Sequence, residues 1–189
     1  MPLLKATPRT NYNVKIAVIA MTIFTALMFF GYIILSIVSG GACPHFEGLE
    51  SFEVDRYKGV WYELQRDTNI RFETGECITA QYETYDKNPA YVSVENTEYW
   101  PDRNEYAKIN GYAVASNWYP GDIGVYFFGG AGADYRVVST DYDSYAIVYS
   151  CTSVGSIRLQ DFTWLLVRDQ IEENSVAFTE MLELVDPLY

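Results

Sequence analysis

The stretch Tyr57-Lys58-Gly59-Val60-Trp61-Tyr62-Glu63 decides how this chain of 189 residues is read. Gly59 has no Cβ, so the backbone can turn sharply at that point. The β-branched and aromatic residues that follow suit a strand over 60–67. Seven more runs of the same kind follow, at 78–85, 91–99, 106–116, 123–128, 135–140, 145–152 and 162–168. Turn residues stand between them, among them Asp86-Lys87-Asn88-Pro89, Pro120-Gly121-Asp122, Gly129-Gly130-Ala131-Gly132 and Asp141-Tyr142-Asp143. Eight short strands with hairpin-length links predict an all-β fold, either an up-and-down barrel or a sandwich. Periodicity alone does not separate the two. Upstream, 44–57 reads as an irregular lead-in that ends in a helical turn at Val54-Asp55-Arg56-Tyr57. Near the C-terminus Val176, Met181, Leu182 and Val185 recur at helical spacing, with Asn174 or Ser175 as cap. A helix over 174–185 is expected to pack on the outside of the strands.

Charge is divided unevenly. Lys5, Arg9 and Lys15 are the only charged residues before Glu47, so the rest of the chain holds ten basic and 25 acidic residues, a formal −15. A field of that sign repels phosphate backbones and argues against nucleic-acid binding. The run 16–38 carries no charge over 23 residues. As a helix it would be about 34 Å long, against a hydrocarbon core of about 30 Å. That length fits an uncleaved signal anchor better than the apolar core of a signal peptide, which is about 7–15 residues. Cleavage near Gly41 or Ala42, giving a secreted domain, is the alternative. Both readings put the basic tail (1–15) in the cytoplasm and the acidic domain (43–189) on the other side, extracellular, luminal or periplasmic.

Cys43, Cys77 and Cys151 all follow the apolar run, so they meet an oxidising compartment, and one disulfide plus one odd thiol is expected. Three cysteines and the lone His45 lack the short paired spacings of a zinc site, so no metal is expected.

Three motifs narrow the fold. Gly59-Val60-Trp61-Tyr62-Glu63 resembles the Gly-x-Trp motif that opens the first strand of lipocalins. Thr140-Asp141-Tyr142 with Tyr145-Ala146-Ile147-Val148-Tyr149 resembles the family's second motif, and Trp164-Leu165-Leu166-Val167-Arg168 its third. Cys43-Pro44, Phe72-Glu73-x-Gly75-x-Cys77-Ile78 and Val148-Tyr149-Ser150-Cys151-Thr152 are most similar to the apolipoprotein D branch, with its bilin-binding and bacterial outer-membrane members. The resemblance implies an eight-stranded antiparallel up-and-down barrel with a C-terminal helix. It implies that Trp61 plugs one end of the barrel and that Arg168 lies across its indole, a cation–π contact of about 0.5–2 kcal/mol. It also implies a Cys43–Cys151 disulfide. Cys77 matches a branch cysteine whose usual partner lies in a C-terminal tail that has no counterpart in this sequence, so Cys77 is expected to be a free thiol.

The resemblance further implies a pocket lined by Tyr82, Asn96, Tyr135, Trp164 and Leu166. An eight-stranded barrel holds one small ligand. Burying about 300–400 Å² of apolar ligand surface gives about 7–10 kcal/mol before association costs of at least about 4, so micromolar binding is expected. The competing interpretation is that these aromatics merely fill the barrel. Three function classes follow. The first is carriage of a lipid, sterol, retinoid or tetrapyrrole, with no required cofactor beyond a bound lipid or pigment. The second is an accessory structural subunit of a membrane assembly. Catalysis is the third and is disfavoured, because Cys77 has no His or Lys nearby in sequence to activate it and no motif singles out a carboxylate pair.

Overall fold

The computed structural model describes residues 9–44, 49–85, 88–116, 120–127, 130, 132–169, 179, 182 and 183. Eight strands follow one another: β1 (Gly59–Arg66), β2 (Glu76–Tyr85), β3 (Asn88–Trp100), β4 (Glu105–Ala115), β5 (Asp122–Phe127), β6 (Ala133–Thr140), β7 (Tyr145–Val154) and β8 (Ile157–Val167). Each pairs with the next, and β8 returns antiparallel to β1, with Glu63 opposite Leu166 and Arg66 opposite Trp164. The sheet therefore closes into a barrel, which leaves no free edge and decides against the sandwich.

All eight predicted strands are present, and two begin three or more residues earlier than the sequence pattern suggests. β3 starts at Asn88 and β8 at Ile157. The segment Ile157-Arg158-Leu159-Gln160-Asp161 has only Ile157 and Leu159 as apolar residues, and Leu159 is exposed. Its strand geometry comes from pairing across a tight link at Gly155, whose φ of +60° suits glycine. Of the expected C-terminal helix, Thr179, Leu182 and Glu183 are helical, and the other residues of 174–185 lie outside the described residues, as does His45.

Strand alternation sorts the side chains. Trp61, Ala80, Tyr82, Val94, Ala113, Val125, Val137, Val148 and Leu166 point inward and form one continuous core. Each large apolar side chain buried in it contributes about 1.5–3 kcal/mol. The opposite faces of β7 and β8 carry a second cluster, Ile147, Leu165 and Val167, packed with Tyr62, Leu64, Val138 and Tyr145. A short helix, α2 (Val54–Tyr57), precedes β1. The N-terminal arm is tied to the strands by hydrogen bonds from Leu49 N to Val137 O and from Gly121 N to Leu49 O, and by the Cys43–Cys151 disulfide.

The described residues 9–42 and Ser153–Leu159 form one compact unit of the chain. Its main element is the helix α1 (Arg9–Val38), within which Asn13–Val38 is long and apolar enough to cross a membrane. From residue 16 onward it carries no charge, and Phe24, Met28 and Phe30 are exposed. Within the same unit the Tyr32 hydroxyl accepts from Ser156 N at 3.1 Å, Ser36 Oγ donates to Ser156 O at 2.8 Å, and Arg158 donates to the carbonyls of Gly40 and Ala42.

Candidate functional site

One end of the barrel is closed by aromatic side chains. Trp61 is fully buried, its indole N–H donates to Tyr57 O at 2.8 Å, and the Arg168 guanidinium lies 3.7 Å from its ring. Arg168 also donates to the carbonyls of Arg56, Tyr57, Lys58, Val60 and Tyr142, so a single cation gathers the lead-in, β1 and the β6–β7 turn. Gly59 has φ +100°, and a Cβ there would sit 3.3 Å from Arg168 Nη1. The β6–β7 turn holds itself: Asp141 Oδ1 accepts from the backbone N of Asp143, Ser144 and Tyr145, and Asp141 Oδ2 accepts from Ser144 Oγ. Partial burial alone would raise the Asp141 pKa, but these hydrogen bonds outweigh it and hold the carboxyl below its usual value.

Above Trp61, Tyr135 is hydrogen-bonded through its hydroxyl to both Tyr57 and Tyr82, each at 2.9 Å. Burial pushes all three phenols up, Tyr82 to about 12, so they are neutral donors and acceptors at physiological pH. The cavity beside them, lined by Phe52, Tyr57, Tyr82, Val92, Ile123 and Tyr135, measures about 20 Å³. That is room for about one water.

Toward the other end the inward positions change character. Asn96 lies opposite Ala80 and Ile109, and Glu63 opposite Leu166, so both side chains share the core face. Asn96, Glu98, Ile109 and Trp164 are only partly buried although they point inward, which leaves this part of the interior within reach of solvent. Three carboxyls gather here. Glu63 forms an ion pair with Arg66 through Oε1, and its side chain is 6% exposed. Glu73 Oε2 accepts from Trp164 Nε1 at 2.9 Å. Glu98 Oε2 accepts from the backbone N of Thr74 and Gly75 at 3.1 and 2.7 Å, which fixes the loop before β2. Glu63 Oε2 and Asn96 Oδ1 are buried without a hydrogen-bond donor. Burial, with the charges of Glu63 and Glu98 adding to it, pushes Glu73 up to about 7. Burial also raises Glu63, against the pull of Arg66. A protonated Glu73 can donate to Glu63; an ionised one cannot.

Residues 52–181 match the family model of a lipocalin-like domain. The chain belongs to the lipocalin family. Apolipoprotein D of Cavia porcellus is 39% identical over 132 residues, which cover 69% of this chain and 68% of the relative. Bilin-binding protein of Pieris brassicae is 31% identical over 143 residues, 69% of each chain. Among solved structures, insecticyanin from the tobacco hornworm Manduca sexta superimposes with a TM-score of 0.63 at 19% identity, covering 78% of this chain and 79% of that one. Lobster apocrustacyanin A1 superimposes with a TM-score of 0.57 at 19% identity, covering 77% and 85%. At such identity the superpositions establish the fold alone.

Within this lipocalin the five pocket residues expected from sequence fall into two groups. Tyr82 and Tyr135 belong to the tyrosine network at the closed end, Asn96 and Trp164 face the accessible end, and Leu166 sits in the core between them. Cys77 is exposed and unpaired, with φ +51°. Glu63, Arg66, Glu73 and Glu98 were not singled out by sequence. Glu63 and Glu73 stand inside the motif strings, but 25 acidic residues hide them. The signal was available in β1, where Glu63 sits two residues after the inward Trp61 and must share its face.

Proposed function

We propose that this lipocalin carries one small, largely apolar molecule, held non-covalently in the accessible half of its barrel. The observation that supports this reading is the contrast along the interior. The end around Trp61 is packed solid, whereas Asn96, Ile109 and Trp164 point inward and stay partly exposed. Relatives whose names record binding, such as the bilin-binding protein, agree with a carrier. Lipid, sterol, retinoid and tetrapyrrole are the ligand classes this reading carries. The helix Arg9–Val38 tethers the carrier to a membrane, and the Cys43–Cys151 disulfide suits a barrel on the oxidising, non-cytoplasmic side. No catalytic step is assigned to it.

The test is native mass spectrometry of the full chain extracted from its source membrane, followed by organic extraction of bound small molecules. An intact N-terminus with one stoichiometric lipid or pigment is the expected result. An empty barrel that co-purifies with a large membrane assembly would replace the carrier with the structural-subunit reading. Trp164→Ala is expected to weaken binding while the domain remains folded, whereas Tyr135→Phe, in the network at the closed end, is expected to leave binding unchanged. Normal binding by Trp164→Ala would move the ligand away from the position assigned to it.

A further inference from the structure

The accessible half of the barrel holds more hydrogen-bond acceptors than donors. Glu63 Oε2 is buried on a side chain that is 6% exposed, and the one donor within its reach is a protonated Glu73. Asn96 Oδ1 is buried without a hydrogen-bond donor on the neighbouring inward face. Glu73 and Glu98 complete the group, and Arg66 is the cation that faces them. With every carboxyl ionised the cluster carries a net charge of about −2 against that one guanidinium, in surroundings where unpaired charge is costly. Arg66 is already engaged with Glu63 Oε1 and Gly75 O, so it does not serve the two open acceptors. Among the described residues no three such side chains converge to hold a metal ion. What the cluster lacks is a donor with positive charge, and Trp164 places an aromatic wall beside it, with its N–H on Glu73.

We propose that the ligand carries a protonated amine on its apolar body, donating to Glu63, Glu73 and Asn96 and packing its apolar part on Trp164. This rests on the carrier reading above and deepens it. The ammonium would replace the proton that Glu73 otherwise needs in order to satisfy Glu63. Uptake below about pH 7 therefore releases that proton, and affinity falls by up to tenfold for each pH unit below about 7. The groups that face Glu73 are Glu63 and Arg66 from β1, Glu98 from β3 and the Trp164 N–H from β8.

The experiment uses the full chain in phospholipid nanodiscs and three probes of matched shape: tryptamine, neutral 3-ethylindole and 3-indolepropionate. Affinities are measured by calorimetry at about pH 8 and about pH 6, with empty nanodiscs as the blank. Tryptamine is expected to bind at least tenfold more tightly than 3-ethylindole at the higher pH, with the acid weakest. That preference should shrink at the lower pH and collapse in the Glu63→Gln, Glu73→Gln double variant, whose retained 3-ethylindole binding reports that it is folded. Equal binding of amine and neutral probe, or a preference for the acid, would overturn the amine assignment and leave the carrier standing. If none of the three binds, the amine assignment is overturned, and the extraction experiment above decides the carrier reading. Proton release by the unmutated chain, read from the dependence of the heat on buffer ionisation, tests the assignment without any variant.

Discussion

Gly59, Trp61 and Arg168 form one mechanical unit, and each fails in a different way. Valine at residue 59 would have to adopt φ +100° and crowd the Arg168 guanidinium. Gly59→Val is therefore expected to cost about 1–3 kcal/mol of backbone strain plus part of the Arg168 network, read as a lower midpoint in denaturant. Trp61→Ala leaves a void under a fully buried ring and is expected to cost about 3–5 kcal/mol. Glu73 makes a prediction of opposite sign. Its folded pKa of about 7 lies above the ordinary 4.5, so the folded chain binds this proton more tightly than the unfolded one. The stability tied to it is complete below about pH 4.5 and is lost as pH rises toward 7. Glu73→Gln keeps an acceptor for Trp164 and adds a donor toward Glu63. At about pH 8 it should raise stability, by at most about 3 kcal/mol, and leave the midpoint flat between about pH 5 and 8. A variant that melts earlier than the parent at about pH 8 would contradict this account of the cluster.

At the scale of the elements, the strands were legible because their chemistry is local. Each predicted run lies within or close to an observed strand, and the Val54–Tyr57 turn appears as α2. The early starts of β3 and β8 were not legible, since their strand geometry comes from pairing with the neighbouring strands. The loop before β2 makes the same point at residue 75. Its backbone N is held by Glu98, and a Cβ there would meet Tyr99 O at 2.6 Å. Gly75→Ala is expected to displace this loop, costing about 1–3 kcal/mol and loosening the Glu98 contact that closes the acceptor cluster. Hydrogen exchange at the amides of Thr74 and Gly75 would report it directly. The carboxyl site itself could not be found by motif. Glu63, Glu73 and Glu98 come from β1, a loop and β3, which the pairing of β2 with both neighbours brings together, and closure of the sheet adds Trp164 from β8.

Across the whole molecule, the Cys43–Cys151 disulfide closes a loop of 108 residues. The chain-entropy model values such a loop at about 4.7 kcal/mol. Cys43→Ser with Cys151→Ser should lower the melting temperature of the barrel by many degrees while leaving ligand chemistry unchanged, and differential scanning calorimetry with a ligand titration separates the two effects. The sequence by itself determined the strand order, the motif residues, the apolar segment, the cysteine partners through resemblance, and the acidic sign of the folded domain. These are properties of local pattern or of composition. Tertiary structure alone decided that Tyr82 and Tyr135 join Tyr57 in a hydrogen-bonded network, and that Glu63 and Glu73 face each other beside Trp164; closure of the sheet, which periodicity left open, was legible through the family resemblance. The physical reason is that burial and desolvation depend on which distant strands become neighbours, and an inward carboxylate looks the same in sequence as one that faces water.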